Sequence, residues 1–210
     1  MSEQIGDREL SEVLAFLGNS FLRPMRQTSD NGLDPSFWAA FPDFGDEEVS
    51  DALDSLFAWA SKGNDRERAA RIQEVSVEYA HLFMGPPEPA VAPWESFYVQ
   101  EGVSTGFGEP TFRMQERLRS IGLAITNENN QYADHIGIEL LYCSAYLKQA
   151  SQDDRMQKTV LGDFIREDLL PWASCFSAAL NKESTGYYTL LAGLAVSILV
   201  VCIHRCMHNL

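Results

Sequence analysis

An adjacent acid and base, Asp134 and His135, are the residues of this sequence best suited by type to polar chemistry. The pair follows the polar run 127–131 and precedes an apolar pattern with helical spacing, so the aspartate stands where a helix cap is expected. A carboxylate at such a place can instead accept a bidentate arginine, with each charge-assisted bond contributing about 1.5 to 3 kcal/mol. The sequence therefore leaves two alternatives, a structural cap and an arginine-recognition pair.

Nucleophilic chemistry has weaker support. Ser96, in the segment W-E-S-F-Y, is the one serine in a suggestive loop, and no G-x-S-x-G elbow surrounds it. The glycines of 102–108 lack the lysine and the strand-to-helix setting of a phosphate-binding loop. A small hydrolase using Ser96 or the pair Asp134 and His135 is the alternative class, but we predict a protein that is not an enzyme and needs no cofactor.

A cluster near the C-terminus could suggest a metal. Cys202 and Cys206 share one helix face, whereas His204 and His208 lie on another, so a single helix cannot direct all four side chains at one ion. We predict no metal site. The four cysteines of the chain stand in or beside apolar helical runs, which in a reducing compartment indicates buried thiols.

The net charge limits the class of partner. Sixteen Lys and Arg against thirty Asp and Glu give a formal charge of −14, which repels nucleic acid and anionic lipid and attracts basic peptides. The acidic stretch 43–54 holds no Lys or Arg; it is either a solvated helix start or a region that attracts basic peptide. The first ten residues lack the pattern of a secretory signal, so we expect a cytoplasmic protein.

The elements that must position these residues have helical spacing, and no run alternates with the period of a strand. Expected helices carry apolar residues at 10–21, with Asp7 as cap and Pro24 as stop, and at 49–60, capped near Asp46. Others carry them at 72–83, at 114–121 after Pro110, at 138–146, at 156–165 and from Pro171 to 180. We predict an all-α, single-domain helical bundle over 1–210.

Residues 186–203 form an almost wholly apolar run of about 18 residues, or roughly 27 Å as a helix, which is the lower limit for crossing a bilayer. A helix that is apolar on all sides is also what the centre of a bundle requires. We expect burial in the core, with a membrane-anchored adaptor as the alternative.

The segment 78–98, E-Y-A-H-L-F-M-G-P-P-E-P-A-V-A-P-W-E-S-F-Y, runs from an apolar helix into a proline-rich aromatic loop. Its four prolines fix φ and remove backbone donors, so we expect the helix to stop at Gly85 and Pro86 and the chain to continue as an extended surface track. The loop 85–110 would divide the bundle into an N-terminal and a C-terminal half.

Three motifs resemble the TorD/DmsD family of redox-enzyme maturation chaperones. They are Y79-A-H-L-F-M-G-P86 with P93-W-E-S-F-Y98, then D134-H135 with I-G-I-E-L, then L169-L-P-W-A-S-C-F176. Order and spacing agree over about two thirds of the chain. The family often has Asn-Glu-Pro where this sequence has Asn130-Gln131-Tyr132, and often has a histidine at Asp168, so a divergent branch is indicated.

The resemblance implies an all-helical cytoplasmic chaperone that binds the twin-arginine leader or the apo-form of a molybdenum-cofactor oxidoreductase before export. It implies the catalytic subunit of that enzyme as partner, membrane contact that is at most transient, and a monomer or homodimer. We predict that Leu82, Phe83, Trp94 and Tyr98 form the apolar side of a peptide groove, with Asp134 pairing an arginine and His135 supporting it. The expected peptide-binding residues are completed by Gly85, Pro86, Pro93 and Ser96.

Overall fold

The computed structural model describes residues 2–85, 88–99, 107–125, 131–150 and 155–208. Within these ranges the chain is helical and has no β-strand, which confirms the all-α prediction. The helices are α1 Ser2–Leu22, α2 Pro35–Ala39, α3 Glu47–Lys62, α4 Arg68–Phe83, α5 Ser96–Val99, α6 Glu109–Ser120, α7 Ile136–Gln149, α8 Arg155–Phe164, α9 Leu170–Glu183 and α10 Tyr187–His208. Two short 3-10 turns, Met25–Gln27 and Asn31–Leu33, connect α1 to α2.

Helix α1 begins earlier than the sequence indicated. Asp7 lies inside the helix, not at its cap, and its carboxylate pairs at 2.8 Å with Lys158 of α8. The apolar positions between Leu10 and Phe21 are buried as predicted, and the helix ends at Leu22, just before Pro24. The cap was misplaced because a tertiary ion pair holds the aspartate in mid-helix.

Helices α1 and α7 pack with their backbones close together. A Cβ added at Gly18 would come within 2.7 Å of the Gly137 carbonyl oxygen, and one added at Gly137 would come within 2.6 Å of the Gly18 carbonyl oxygen. Farther along the interface, the hydroxyls of Ser11 and Ser144 donate to each other's backbone carbonyls at 2.9 and 2.8 Å. This close approach fixes the position of the N-terminal turn of α7, where Asp134 and His135 stand.

Helix α3 is capped as predicted, because Asp46 Oδ1 accepts a hydrogen bond of 3.1 Å from Val49 N. Helix α4 ends at Phe83, and Gly85 follows with a φ of +76°, the left-handed conformation typical of a helix C-terminus. The chain then turns back on α4, since Val91 N donates to Leu82 O at 2.9 Å.

Helices α8 and α9 are joined by a π-helical turn, Ile165–Leu169, and not by a loop. Pro171 lies in the first turn of α9 and has no N–H to continue the ordinary helical pattern, so a widened turn immediately before it is the expected accommodation. The sequence indicated the two apolar faces but not their continuity.

Helix α10 is the helix predicted for the centre of the bundle. It packs against α1, α3, α8 and α9, and its window Tyr187–Met207 has a mean hydropathy of 2.1 with 56% of the window buried inside the protein. By length and composition it could cross a membrane, but the core helix of a bundle has the same properties. Its packing favours the core over the anchor.

The cysteines of the bundle differ in exposure. Cys143, Cys202 and Cys206 are buried as predicted, whereas Cys175 on α9 is exposed, so the prediction of a buried thiol is wrong for that residue. Among the residues that the structure describes, no group of three His, Cys, Asp or Glu side chains is arranged to hold a metal ion.

Candidate peptide-binding site

Two segments far apart in sequence, 93–96 and 134–136, are joined by backbone hydrogen bonds, and we call this pairing the clip. Glu95 N donates to Asp134 O at 2.9 Å, and Ile136 N donates to Pro93 O at 2.9 Å. Trp94 and His135 form an isolated antiparallel bridge between these bonds. The clip therefore attaches the proline-rich loop to the start of α7.

Asp134 is wholly buried and holds the clip together from inside. Its Oδ1 accepts the Thr111 hydroxyl at 2.8 Å, and its Oδ2 accepts Ser96 N at 3.1 Å. Because both carboxylate oxygens have internal partners, an arginine from outside could bind Asp134 only after the clip opens. In this conformation Asp134 connects α5, α6 and α7 and does not face solvent.

His135, not Asp134, caps α7. Its Nδ1 accepts a hydrogen bond of 3.0 Å from Gly137 N, and the ring lies edge-on to Trp94 with the ring centroids 6.0 Å apart. Burial lowers the pKa of His135 to about 3, so the imidazole is neutral at physiological pH. The sequence assigned the cap to the wrong member of the pair. Thr111 and Ser96 donate hydrogen bonds to both oxygens of Asp134, so this carboxylate does not cap α7.

Ser96 and His135, the nucleophile and base of the alternative hydrolase, are not paired within the described residues. Ser96 Oγ and His135 Nε2 are buried and have no hydrogen-bond partner within the described part of the chain. A serine nucleophile needs a base within hydrogen-bond reach, and neither Asp134 nor His135 contacts the Ser96 hydroxyl there. The contact between Asp134 and Ser96 runs through the backbone amide.

Five aromatic rings form a connected row that begins beside the clip and includes its Trp94. We call these rings the aromatic strip: Phe112, Phe107, Tyr132, Trp94 and Phe97. Neighbouring rings along this order have centroids 5.2, 5.3, 6.3 and 5.9 Å apart. Phe107, Phe112 and Tyr132 are 44%, 53% and 40% exposed. Because large exposed apolar patches are often binding surfaces, the strip is a candidate interaction site.

A cavity of about 420 Å³ lies beside the strip, and Phe107 and Tyr132 form part of its wall. Leu118, Leu123 and Ile125 contribute apolar surface to the same cavity. A second cavity of about 620 Å³ shares these three residues and continues to the C-terminal end of α1. An apolar segment bound on the strip would therefore have a cavity in which to place a side chain.

Next to the strip, two carboxylates already hold a guanidinium group. Arg113 donates to Glu95 at 2.6 Å and to Glu109 at 2.9 Å. The Glu95 side chain is 5% exposed, and burial raises its pKa to about 7 although the charge of Arg113 acts in the opposite direction. In the free protein, both carboxylates are therefore paired with an arginine of the same chain.

Further acids lie beneath the same region. Glu139 is fully buried and accepts the Trp172 indole N–H at 3.2 Å; its burial, with Glu95 nearby, raises its pKa well above the ordinary value. Asp168, which stands where the family often has histidine, pairs with Arg117 at 2.7 Å. The site thus combines apolar rings outside with a concentration of carboxyl groups inside.

The remaining residues expected at the site lie in different environments. Leu82 and Phe83 are buried in the core, where Phe83 stacks on Phe176 with centroids 6.0 Å apart. Tyr98 is half-buried against Trp172, and its hydroxyl donates to Ala92 O at 2.9 Å. Pro93 is buried in the clip, and Pro86 lies outside the described residues.

The residues expected from the sequence and the residues of the aromatic strip overlap only at Trp94. Phe107, Phe112 and Tyr132 were not among the expected residues, nor were Glu95 and Arg113. One signal was available for Tyr132, which stands two residues before Asp134 in place of the family's proline. Phe107 and Phe112 flank the predicted helix start at 110, and their spacing gave no comparable signal.

Known proteins are similar to most of this chain. The nitrate reductase delta subunit family matches residues 44–178, which is more than half of the sequence. This chain belongs to that family, the TorD/DmsD family. A relative described as a probable Tat proofreading chaperone DmsD, from Haemophilus influenzae, is 30% identical over 128 residues, or 60% of this chain and 59% of that protein.

Two TorD/DmsD relatives described as the chaperone protein TorD match over longer stretches. The one from Aliivibrio fischeri is 28% identical over 158 residues, which are 72% of each chain. The one from Shewanella piezotolerans is 27% identical over 152 residues, 69% of this chain and 66% of that protein. The family consists of chaperones and not enzymes.

Proposed function

We propose that this chain is a cytoplasmic chaperone that binds the twin-arginine leader of a molybdenum-cofactor oxidoreductase, or its apo-form, and assists its maturation before export. The observation that carries the proposal is the exposed aromatic strip beside Glu95 and Glu109, which already hold a guanidinium group. Membership of a chaperone family and the names of the relatives support it.

The chemistry of a twin-arginine leader complements this surface. Its apolar segment would lie on the aromatic strip, where burial of apolar area contributes about 25 cal/mol per Å². Its arginines would be attracted by the charge of −14 and would compete with Arg113 for Glu95 and Glu109. Charge would then set orientation and encounter rate, and the rings would set most of the affinity.

Within this proposal Asp134 and His135 keep a place at the site, mainly as its frame. Asp134 fixes Ser96 and Thr111, and the clip in turn fixes Trp94 within the strip. A direct bond from a leader arginine to Asp134 would require the clip to open. Leu82 and Phe83 would support the loop from the core, and Gly85, Pro93 and Tyr98 would fix its course.

The proposal is tested by calorimetry on the full chain with a synthetic leader peptide that carries two adjacent arginines followed by an apolar segment. The same peptide with two lysines is the control, because lysine cannot form the bidentate bond. We expect tighter binding of the arginine peptide and a loss of that preference in Glu95→Gln. Equal affinity for both peptides in the unmodified protein would contradict arginine recognition.

Two further variants distinguish the carboxylates that would bind the leader, Glu95 and Glu109, from Asp134, which holds the clip. If Glu95 and Glu109 receive the leader, Arg113→Met frees them and should strengthen binding of the arginine peptide. Asp134→Asn should weaken binding only as far as it loosens the clip. Unchanged affinity in Asp134→Asn, with the fold retained, would remove Asp134 from the site.

A further inference from the structure

A second apolar groove lies between α1 and the end of α2, outside the peptide-binding site. Its volume is about 440 Å³, and its walls are Glu9, Glu12, Val13, Phe16, Phe37, Ala40, Phe41 and Pro42. None of these residues belongs to the aromatic strip, the clip or the two cavities beside them. The groove therefore needs an explanation of its own.

The floor of the groove is a rigid aromatic cluster. The rings of Phe16, Phe37 and Phe41 lie with centroids 5.3 to 5.8 Å apart, and all three are only partly buried. Beneath them Trp38 is 1% exposed and donates its indole N–H to Gly32 O at 2.9 Å. Because Trp38 is anchored in this way, the three phenylalanines form a preformed surface and not a loose side-chain cluster.

The rim of the groove is acidic. Glu9 and Glu12 line one side and are exposed, and Pro42 on the other side leads into the acidic stretch 43–54. From residue 27 to residue 61 the chain has eight Asp and Glu and no Lys, Arg or His. Arg205 of α10 lies over the ring of Phe44, outside the groove lining. On α1, Arg8 pairs with Glu12 at 3.0 Å but is 80% exposed. An exposed pair of this type is weak, so another cation can replace Arg8.

These features select one kind of occupant. A second copy of this chain would bring another charge of −14 against the acidic rim, and an anionic membrane would be repelled in the same way. A helix with apolar residues on one face and Lys or Arg along its flanks would pack its apolar face on the three phenylalanines and pair its cations with the acidic rim. Amphipathic helices dock into apolar grooves in this way, through side chains one turn apart. We propose that the groove between α1 and α2 docks a basic amphipathic helix of a partner protein, separately from the leader.

The probe is a labelled synthetic helix of leucine and lysine, about 14 residues or roughly 21 Å long, titrated against the full chain by fluorescence anisotropy. Its counterpart has glutamate in place of lysine.

Ala40 is exposed at the mouth of the groove, so Ala40→Arg should block the groove without disturbing the core. Glu9→Lys with Glu12→Lys reverses the rim. Asp65→Lys with Glu67→Lys, two exposed acids outside the groove, makes the same change in net charge and serves as the matched control.

We expect the lysine helix to bind and the glutamate helix not to bind. Affinity should fall about tenfold in Ala40→Arg and in the rim variant, because each loses contacts that the control retains. Leader affinity should be unchanged in Ala40→Arg, and helix affinity should be unchanged in Phe112→Ala, so that this proposal and the proposed function fail independently.

Three results would overturn the proposal. Equal weakening in the rim variant and in the control would mean that the overall field, and not the groove, attracts the probe. Loss of leader binding in Ala40→Arg would make the groove part of the leader site. A dimer that sedimentation shows to dissociate in Ala40→Arg would identify a second copy as the occupant. Should Ala40→Arg fail to fold, the rim variant, which changes only exposed side chains, still decides between these outcomes.

Discussion

The Thr111 hydroxyl donates a 2.8 Å hydrogen bond to Asp134 Oδ1 and so ties the first turn of α6 to the residue before the cap of α7. Both residues have no exposed surface. Removing the hydroxyl in Thr111→Val would leave one oxygen of a buried carboxylate without its donor. We expect the free energy of unfolding to fall by about 1 to 3 kcal/mol, measured by denaturant titration.

Thr159→Val on α8 is the matched control, because Thr159 is exposed and its hydroxyl bonds only to its own helix. Its effect should stay within about 0.5 kcal/mol. Similar losses in the two variants would show that the Thr111 to Asp134 bond does not support the clip.

The exposed rings of the aromatic strip should contribute to the affinity for the leader peptide. Phe107→Ala and Phe112→Ala are each expected to weaken binding of the arginine leader roughly tenfold, as truncation of an aromatic anchor commonly does. Phe57→Ala on α3 is the control, because Phe57 is a phenylalanine of similar exposure, 42%, outside the strip. Calorimetry that finds all three variants alike would exclude the strip as the binding surface.

Glu95 should leave a signature in the pH dependence of stability. Its pKa is raised from 4.5 to about 7, so between these values the folded protein keeps a proton that the unfolded chain has lost. The stabilisation is therefore present below pH 4.5 and is lost as pH rises through 7. In Glu95→Gln the slope of unfolding free energy against pH should become more positive in this window, by up to about 1.4 kcal/mol per pH unit. An unchanged slope would contradict the raised pKa.

His135 should act with the opposite sign. Its pKa is lowered from 6.5 to about 3, so the unfolded chain binds a proton in this range that the folded protein does not. The stabilisation is present above pH 6.5 and is lost as pH falls through 3. Asparagine can also cap a helix, so His135→Asn removes the titration and keeps the cap. In this variant the slope of unfolding free energy against pH should become less positive between pH 3 and 6.5. A more positive slope, as expected for Glu95→Gln, would contradict the lowered pKa of His135.

Two glycines at the last helix should respond oppositely to alanine. A Cβ at Gly186 would collide with the Glu78 carboxylate, which is fixed by Ser184 Oγ at 2.8 Å and by Tyr187 N at 3.1 Å. Gly186→Ala should therefore lower the free energy of unfolding by about 1 to 3 kcal/mol. Gly193 lies inside α10 with nothing within 4 Å of an added Cβ. Gly193→Ala should therefore raise the free energy of unfolding by about 0.5 to 1 kcal/mol. Thermal unfolding of the two variants would compare them, and equal effects would disprove the collision.

The sequence predicted the helices well wherever local signals and packing agree. The apolar spacing of α1, the Asp46 cap of α3 and the stop of α4 before Gly85 are all observed. Each of these is determined by neighbours within a few residues. The burial of α10 was also anticipated, because a helix apolar on every side has few other places in a bundle.

The parts that were missed depend on partners distant in sequence. Asp134 is not the cap of α7, because Thr111, 23 residues away, and Ser96, 38 residues away, take its oxygens. The exposure of Phe107 and Phe112 was equally hidden, since an aromatic near a helix start is more often a core anchor. The clip needs two segments to meet, and no local pattern encodes such a meeting.

Hydrogen exchange at the clip can measure how often Asp134 becomes accessible to solvent. The amide protons of Glu95, Ser96 and Ile136 all point inward, to Asp134 O, Asp134 Oδ2 and Pro93 O. Each can exchange with solvent deuterium only when the two segments separate. Their exchange rates in the free protein therefore report how often the aspartate becomes reachable, and a ligand that binds the closed form would slow all three together.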